Sequence, residues 1–424
     1  MWFDKIIAIF KAKDLRNKIL FVLAMMAVFR LAANIPIPGI DREKLALFFQ
    51  KNQFFGLMNL FTGGALENLS IAMLGLGPYI TAVIIMQLLT LIFPRLEEMY
   101  KEEGEAGRQR FNQYARILTV PLAALQGFSM LRLLQNQGAL EPLPFSQLIV
   151  SIVVITAGSI FLMWIGELIS EKGIGNGISL LIFAGIVARF PVSIRETILT
   201  WDPTHLPSYI LFVILALFIT MAVVVVQESR RNVPISYAKR IRGHRMYGGA
   251  QTYLPMMLNP AGVIPIIFAL SIMMLPQMFG SLFSQSSIPY LSSFASTVNE
   301  IFKNPWIYGF FYFVLVVLFT YFYTAITFDP QNVAENLQKM GGFIPGLRPG
   351  RQTSEFLSFI LNRVLLVGAL FLGLIAIMPY IVQAITGIGT FRFITGGTAL
   401  LIVVSVVLET VKEIQSQLEM REYE

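Results

Sequence analysis

The sequence predicts an all-α polytopic membrane protein with ten transmembrane helices, and three observations carry that expectation. Of 424 residues, 55% are hydrophobic and only 13% charged, about half the charge of a soluble domain. Apolar runs close to the roughly 20 residues that cross a bilayer as a helix recur along the whole chain. Lys and Arg gather in alternate connections between those runs, the bias that keeps basic segments on the cytoplasmic side.

In chain order the spans fall at about 19–34, 76–93, 116–134, 147–168, 177–190, 208–227, 260–279, 306–327, 361–379 and 396–411. The first follows a basic start and runs into RLAANIPIPGID without a small-residue cleavage site, so it reads as a retained span. The fifth, GISLLIFAGIVARF, is short and begins behind Gly173, Gly175 and Gly177. With a cytoplasmic N-terminus, 23 of the 32 Lys and Arg residues fall on the cytoplasmic side. Omitting the fifth span would put the six basic residues of 228–259 outside, which the charge rule disfavours. Both termini are therefore expected on the cytoplasmic face.

The second span emerges from a broken stretch. Gly63, Gly64, Glu67, Asn68, Gly75, Gly77 and Pro78 interrupt an otherwise apolar run from Phe61 to Phe93. Unpaired backbone groups cost several kcal/mol each in hydrocarbon, so such a break is tolerated only inside protein or against a water-filled cavity. A pore or a substrate site is expected there.

Two cytoplasmic connections are longer than ordinary loops. In 228–259, Val233, Ile235 and Tyr237 alternate with smaller or polar residues before Arg242, Gly243 and His244, predicting a projecting hairpin with a basic tip. In 328–362, Pro345, Gly346, Pro349 and Gly350 stiffen a segment that holds Arg348 and Arg351. Basic loops touch anionic lipid, and two on one face also suit an acidic protein surface or an RNA backbone.

Several chemistries are excluded. Cys is absent and the two His, His205 and His244, lie in connections, which removes thiol redox chemistry and a Cys- or His-built metal centre. No Gly-Lys pair exists, so there is no P-loop. An intramembrane hydrolase would need a nucleophile with its base or an HExxH pair. A secondary transporter with inverted repeats, the main alternative class, usually keeps ionisable residues at the bilayer midplane, and the middles of these spans contain none. No enzyme and no cofactor is expected.

IPIPGID at 35–41, FTGGALENLSIAMLGLGPYITA at 61–82, GELISEKGIGNGISL at 166–180, YAKR at 237–240, NPAGVIP at 259–265, NVAENLQKMGGFIPGLRPG at 332–350 and GGTALLIVV at 396–404 resemble the SecY family, channel subunits of the bacterial protein translocase. The resemblance implies two inverted five-helix halves around a central hourglass pore in the bacterial plasma membrane. One half is residues 1–190; the rest divides into 191–227, the basic loop 228–259, spans at 260–327, the basic loop 328–362 and spans with a tail at 363–424. A short plug helix is implied at 61–73, including Gly63, Gly64, Ala65, Leu66, Glu67, Asn68 and Leu69, and its Gly and Ala content suggests weak packing.

The same resemblance implies a constriction ring of Ile80, Ile84, Ile178, Ile182, Ile267 and Ile402, and a lateral gate bearing Gln87, Thr90, Gln126 and Asn259. Arg240, Arg242, Arg348 and Arg351 are implied to dock SecA or the ribosome. SecE and SecG are the implied subunits, and precursor proteins with signal sequences the cargo. Pro260, behind Asn259, departs from the family pattern and suggests a different start to that span.

Overall fold

A computed structural model of the chain describes residues 11–37, 62–136, 138, 140–199, 203–237, 240–242, 245–247, 251–283, 290, 293, 295, 297, 298, 301, 302, 304–386 and 397–422. Twelve helices are named here in chain order: α1 Lys13–Ala32, α2 Gly77–Thr90, α3 Pro94–Lys101, α4 Gly104–Asn136, α5 Phe145–Lys172, α6 Gly177–Leu199, α7 Leu206–Glu228, α8 Ile264–Phe283, α9 Pro305–Thr327, α10 Pro330–Lys339, α11 Arg351–Thr386 and α12 Gly397–Glu422. Each of the ten predicted spans overlaps one of them. Among the described residues α4, α5, α7, α9 (running on into α10) and α11 are long and apolar enough to cross a membrane; α6 and α8 carry shorter apolar stretches.

Several helices outrun their apolar cores. α4 starts twelve residues before the predicted span and α11 ten before it, because hydropathy reports only the lipid-embedded part of a helix that continues into water. The second span ends in a break: α3 leaves α2 at 109°, with Pro94 opening the new helix where no N–H is needed.

Packing divides the helices into two groups. α1, α2, α4, α5 and α6 pack on one another, as do α7, α8, α9, α11 and α12. The groups meet along one side where α8 lies against α2 and α4, and along another where α12 lies against α6.

The two basic loops form one structure, a union that neither loop's own sequence announces. β1 Arg230–Tyr237 pairs antiparallel with β4 Gln251–Met257, while β5 Gly342–Phe343 from the second loop adds to its other edge. Two further strands, β2 Arg240–Arg242 and β3 Arg245–Tyr247, pair beyond them; the turn expected at Gly243 and His244 lies outside the described residues. Pro234 is tolerated in the middle strand because β5 pairs only with Ser236 and Tyr237, leaving one edge open at Pro234. Val233 and Ile235 are buried as the alternation predicts. Val233 joins Met256, Ile344, Leu357, Ile360 and Leu361 in a small core, so the sheet is seated on the N-terminal part of α11.

The 62–76 segment departs from expectation twice. It is a chain of turns rather than a short helix, closed by hydrogen bonds such as Ala65 N–H to Thr62 O, 3.2 Å, and Ser70 N–H to Ala65 O, 2.9 Å. Gly63 and Gly64, with φ of 65° and 87°, and even Leu69, at 38°, sit in the left-handed region, which interrupts helical propagation. Nor is its packing weak. Ala65, Leu66, Leu69, Ser70, Ala72 and Met73 are buried, and an antiparallel bridge ties Pro36 to Ser70, with Ile37 N–H to Leu69 O and Ile71 N–H to Ile35 O both 2.9 Å.

Candidate functional site

The six isoleucines all belong to, or pack against, one extensive apolar cluster. α2 presents Ile80 and Ile84 one turn apart, α6 presents Ile178 and Ile182 at the same i, i+4 spacing, α8 supplies Ile267 and α12 supplies Ile402. Ile84, Ile182 and Ile402 are 1%, 5% and 0% exposed, and Ile80, Ile178 and Ile267 pack partly buried against the same apolar cluster. Both helix groups therefore contribute to one apolar centre.

The 62–76 turn packs into that cluster. Ala65, Ala72 and Leu76 belong to the isoleucine cluster, while Leu66, Leu69 and Met73 face a second cluster with Leu131 and Leu134 of α4 and Leu148 and Ile155 of α5. Two arginines hold its polar side: Arg30 of α1 donates to the Gly63 carbonyl, and Arg189 of α6 pairs with Glu67. Sequence reasoning missed both. The available signal was a cation near the end of an apolar run, Arg30 in 19–34 and Arg189 in 177–190, since ionisable residues in such runs are functional candidates.

The four polar residues expected at the lateral seam are all buried. Gln126 of α4 donates to Thr81 of α2 at 3.4 Å, and Thr90 donates to the Gln87 carbonyl at 2.6 Å. Asn259 donates to the Gly262 carbonyl at 2.9 Å, closing a turn so that α8 begins only at Ile264; Pro260 lies in that turn and kinks no helix. Gln87 Oε1 and Asn259 Oδ1 have no hydrogen-bond partner among the described residues. α8 packs on both α2 and α4, whereas the Gln126–Thr81, Thr90–Gln87 and Asn259–Gly262 bonds each join residues on the same side of that contact.

Of the docking arginines, Arg348 and Arg351 are exposed. The Arg348 carbonyl accepts from Thr353 Oγ1 at 3.1 Å, and Arg351 Nε donates to Glu355 at 2.9 Å, so the segment before α11 is ordered while its charges face outward. Arg240 and Arg242 lie on β2, and their side chains are outside the description.

A cavity of about 590 Å³ lies at the ends of α4, α5 and α6, lined by Gln109, Asn112, Gln113, Glu167, Glu171 and Ile178 among others. A second, of about 290 Å³, includes Asn259, Gln227, Ser405 and Glu409. Polar walls thus adjoin the apolar centre. Among the described residues no group of three or more His, Cys, Asp and Glu could hold a metal ion.

Comparison with known proteins agrees with the fold. The SecY family model matches residues 70–411. The chain is 42% identical over 441 residues to the protein translocase subunit SecY of Corynebacterium glutamicum, covering 99% of this chain and 98% of that protein. It is 43% identical to the protein translocase subunit SecY of Streptomyces coelicolor, covering 98% and 97%. Among solved structures it resembles a protein-conducting channel with a TM-score of 0.64 at 19% identity, covering 94% of this chain and 91% of that one. It also resembles Sec61 of the canine ribosome-channel complex with a TM-score of 0.61 at 18% identity and the same coverage. With matches running nearly end to end, the chain belongs to the SecY family.

Proposed function

We propose that this protein conducts unfolded precursor proteins across the bacterial plasma membrane and releases apolar segments sideways into lipid. The observation that carries the reading is the apolar centre built by α2, α6, α8 and α12 and capped by the 62–76 turn. An aliphatic constriction excludes water and ions when closed, and side chains without strong bonding preferences yield to any passing peptide. The α8 contact with α2 and α4 would open as the lateral gate, since interhelical hydrogen bonds in a bilayer average only about 0.6 kcal/mol.

The channel itself performs no chemistry; energy comes from a partner. The β4-β1-β5 sheet and the Arg348 segment form a basic platform suited to SecA or a ribosome, and SecE and SecG complete the assembly. All ten spans cross, with both termini cytoplasmic and the 62–76 turn on the outer side as the plug. The test is site-specific crosslinking from Ile84 and Ile402 to an arrested precursor. Adducts to the precursor at both positions are expected; adducts to lipid alone would remove the pore assignment.

A further inference from the structure

On the channel reading, we infer that Arg30 and Arg189 are the positioning residues of the closed gate: a two-arginine latch, with Glu67 and the Gly63 carbonyl as its catches, that seats the plug turn on the isoleucine cluster. The two cations come from different helices, α1 and α6, and engage the same short turn. Arg189 does so twice, because its side chain also lies alongside Gly64 while its guanidinium pairs with Glu67.

Register places the latch directly above the constriction. Ile178, Ile182, Gly185 and Arg189 follow at i, i+4, i+7 and i+11 on α6, which is one helix face. Gly185 meets the turn backbone itself: a methyl group added at Gly63 would lie 2.9 Å from Gly185 Cα. The face that supplies two constriction residues thus continues upward into a close backbone contact and then the ion pair. Movement of α6 away from the pore axis would strain all three together.

The balance of forces suits a device that must open. The Arg189 and Glu67 side chains are 20% and 28% exposed, so both lose much of their hydration when the turn is seated, and that penalty offsets part of their attraction. Arg30 and Arg189 also lie close enough to repel. Seating the turn gives each cation an oxygen partner, the Gly63 carbonyl for Arg30 and the Glu67 carboxylate for Arg189; releasing it into a water-filled pore rehydrates both cations. The latch therefore selects the seated position without locking it.

The test measures resting iodide leak through the assembled translocase in vesicles. Glu67→Gln and Arg189→Gln are each expected to raise leak about three- to tenfold, a tenfold change corresponding to about 1.4 kcal/mol. The double variant should leak no more than the leakier single one, since both remove the same interaction. Arg189→Lys, which keeps the charge and is a mild change for the fold, should fall between wild type and Arg189→Gln. Wild-type leak in both single variants, effects that multiply in the double, or Arg189→Lys leaking as much as Arg189→Gln would each overturn the latch. Precursor-triggered conductance of the wild-type channel is read in the same vesicles: its absence counts against the channel reading, whereas its presence with unaltered leak in the variants counts against the latch alone.

Discussion

Replacing Gly158 with alanine should loosen the plug from behind. Gly158 lies mid-helix on α5, and a methyl group there would sit 1.9 Å from the Ile71 carbonyl oxygen and 2.6 Å from its carbon. Ordinary contact begins at 3.4 Å, so α5 or the turn must yield by about 1.5 Å, judged against normal carbon contact distances. The obstacle is backbone, and Ile71 N–H is tethered to Ile35 O at 2.9 Å, so no side-chain rotation relieves it. Overpacking of this kind costs about 1–3 kcal/mol, and the upper end applies. Alanine's better helix propensity does not offset this, because α5 is helical whether or not the turn is seated. A cost of about 3 kcal/mol against the seated turn is a factor on the order of 100 in its equilibrium with the displaced one. Resting iodide leak should rise by up to that factor, with faster amide hydrogen exchange at Ile71 to Met73. Unchanged leak and exchange would refute the reasoning, because they would mean that α5 and the turn are not in rigid contact.

Two further outcomes concern the gate seam and the docking platform. Gln87→Leu removes a buried carbonyl oxygen that has no partner among the described residues and should stabilise the closed seam by about 1–3 kcal/mol; lateral release of a marginally hydrophobic segment should fall, and unchanged partitioning between lipid and lumen would contradict the assignment. Arg348→Glu alters an exposed residue, so folding and insertion should survive while SecA-driven transport in reconstituted vesicles collapses, and wild-type transport rates would reject the docking role.

How much was legible follows from the range of each interaction. The alternation of Val233 and Ile235 predicted a strand because period-2 burial is local, and β1 is there. The union of both basic loops through β5 was not predicted, since pairing between Ser236 and Phe343 depends on where α9 to α11 return the chain. Likewise, the Gly-rich break after Phe61 announced irregular backbone at membrane depth. Its turns, its burial and its two arginine contacts come from helices distant in sequence: Arg30 and Arg189 stand 33 and 122 residues from their catches.

By itself the sequence determined the membrane class, the approximate spans and the absence of Cys-based or P-loop chemistry, because hydropathy, charge and residue inventory are properties of the chain wherever it folds. Motif resemblance carried the family and nominated the six isoleucines. Only the tertiary structure decided that those isoleucines share one apolar cluster, that the turn packed into it is tight rather than loose, and that two arginines hold it. Those are long-range contacts, set by how two groups of helices close on each other, and no local pattern of residues encodes their distances.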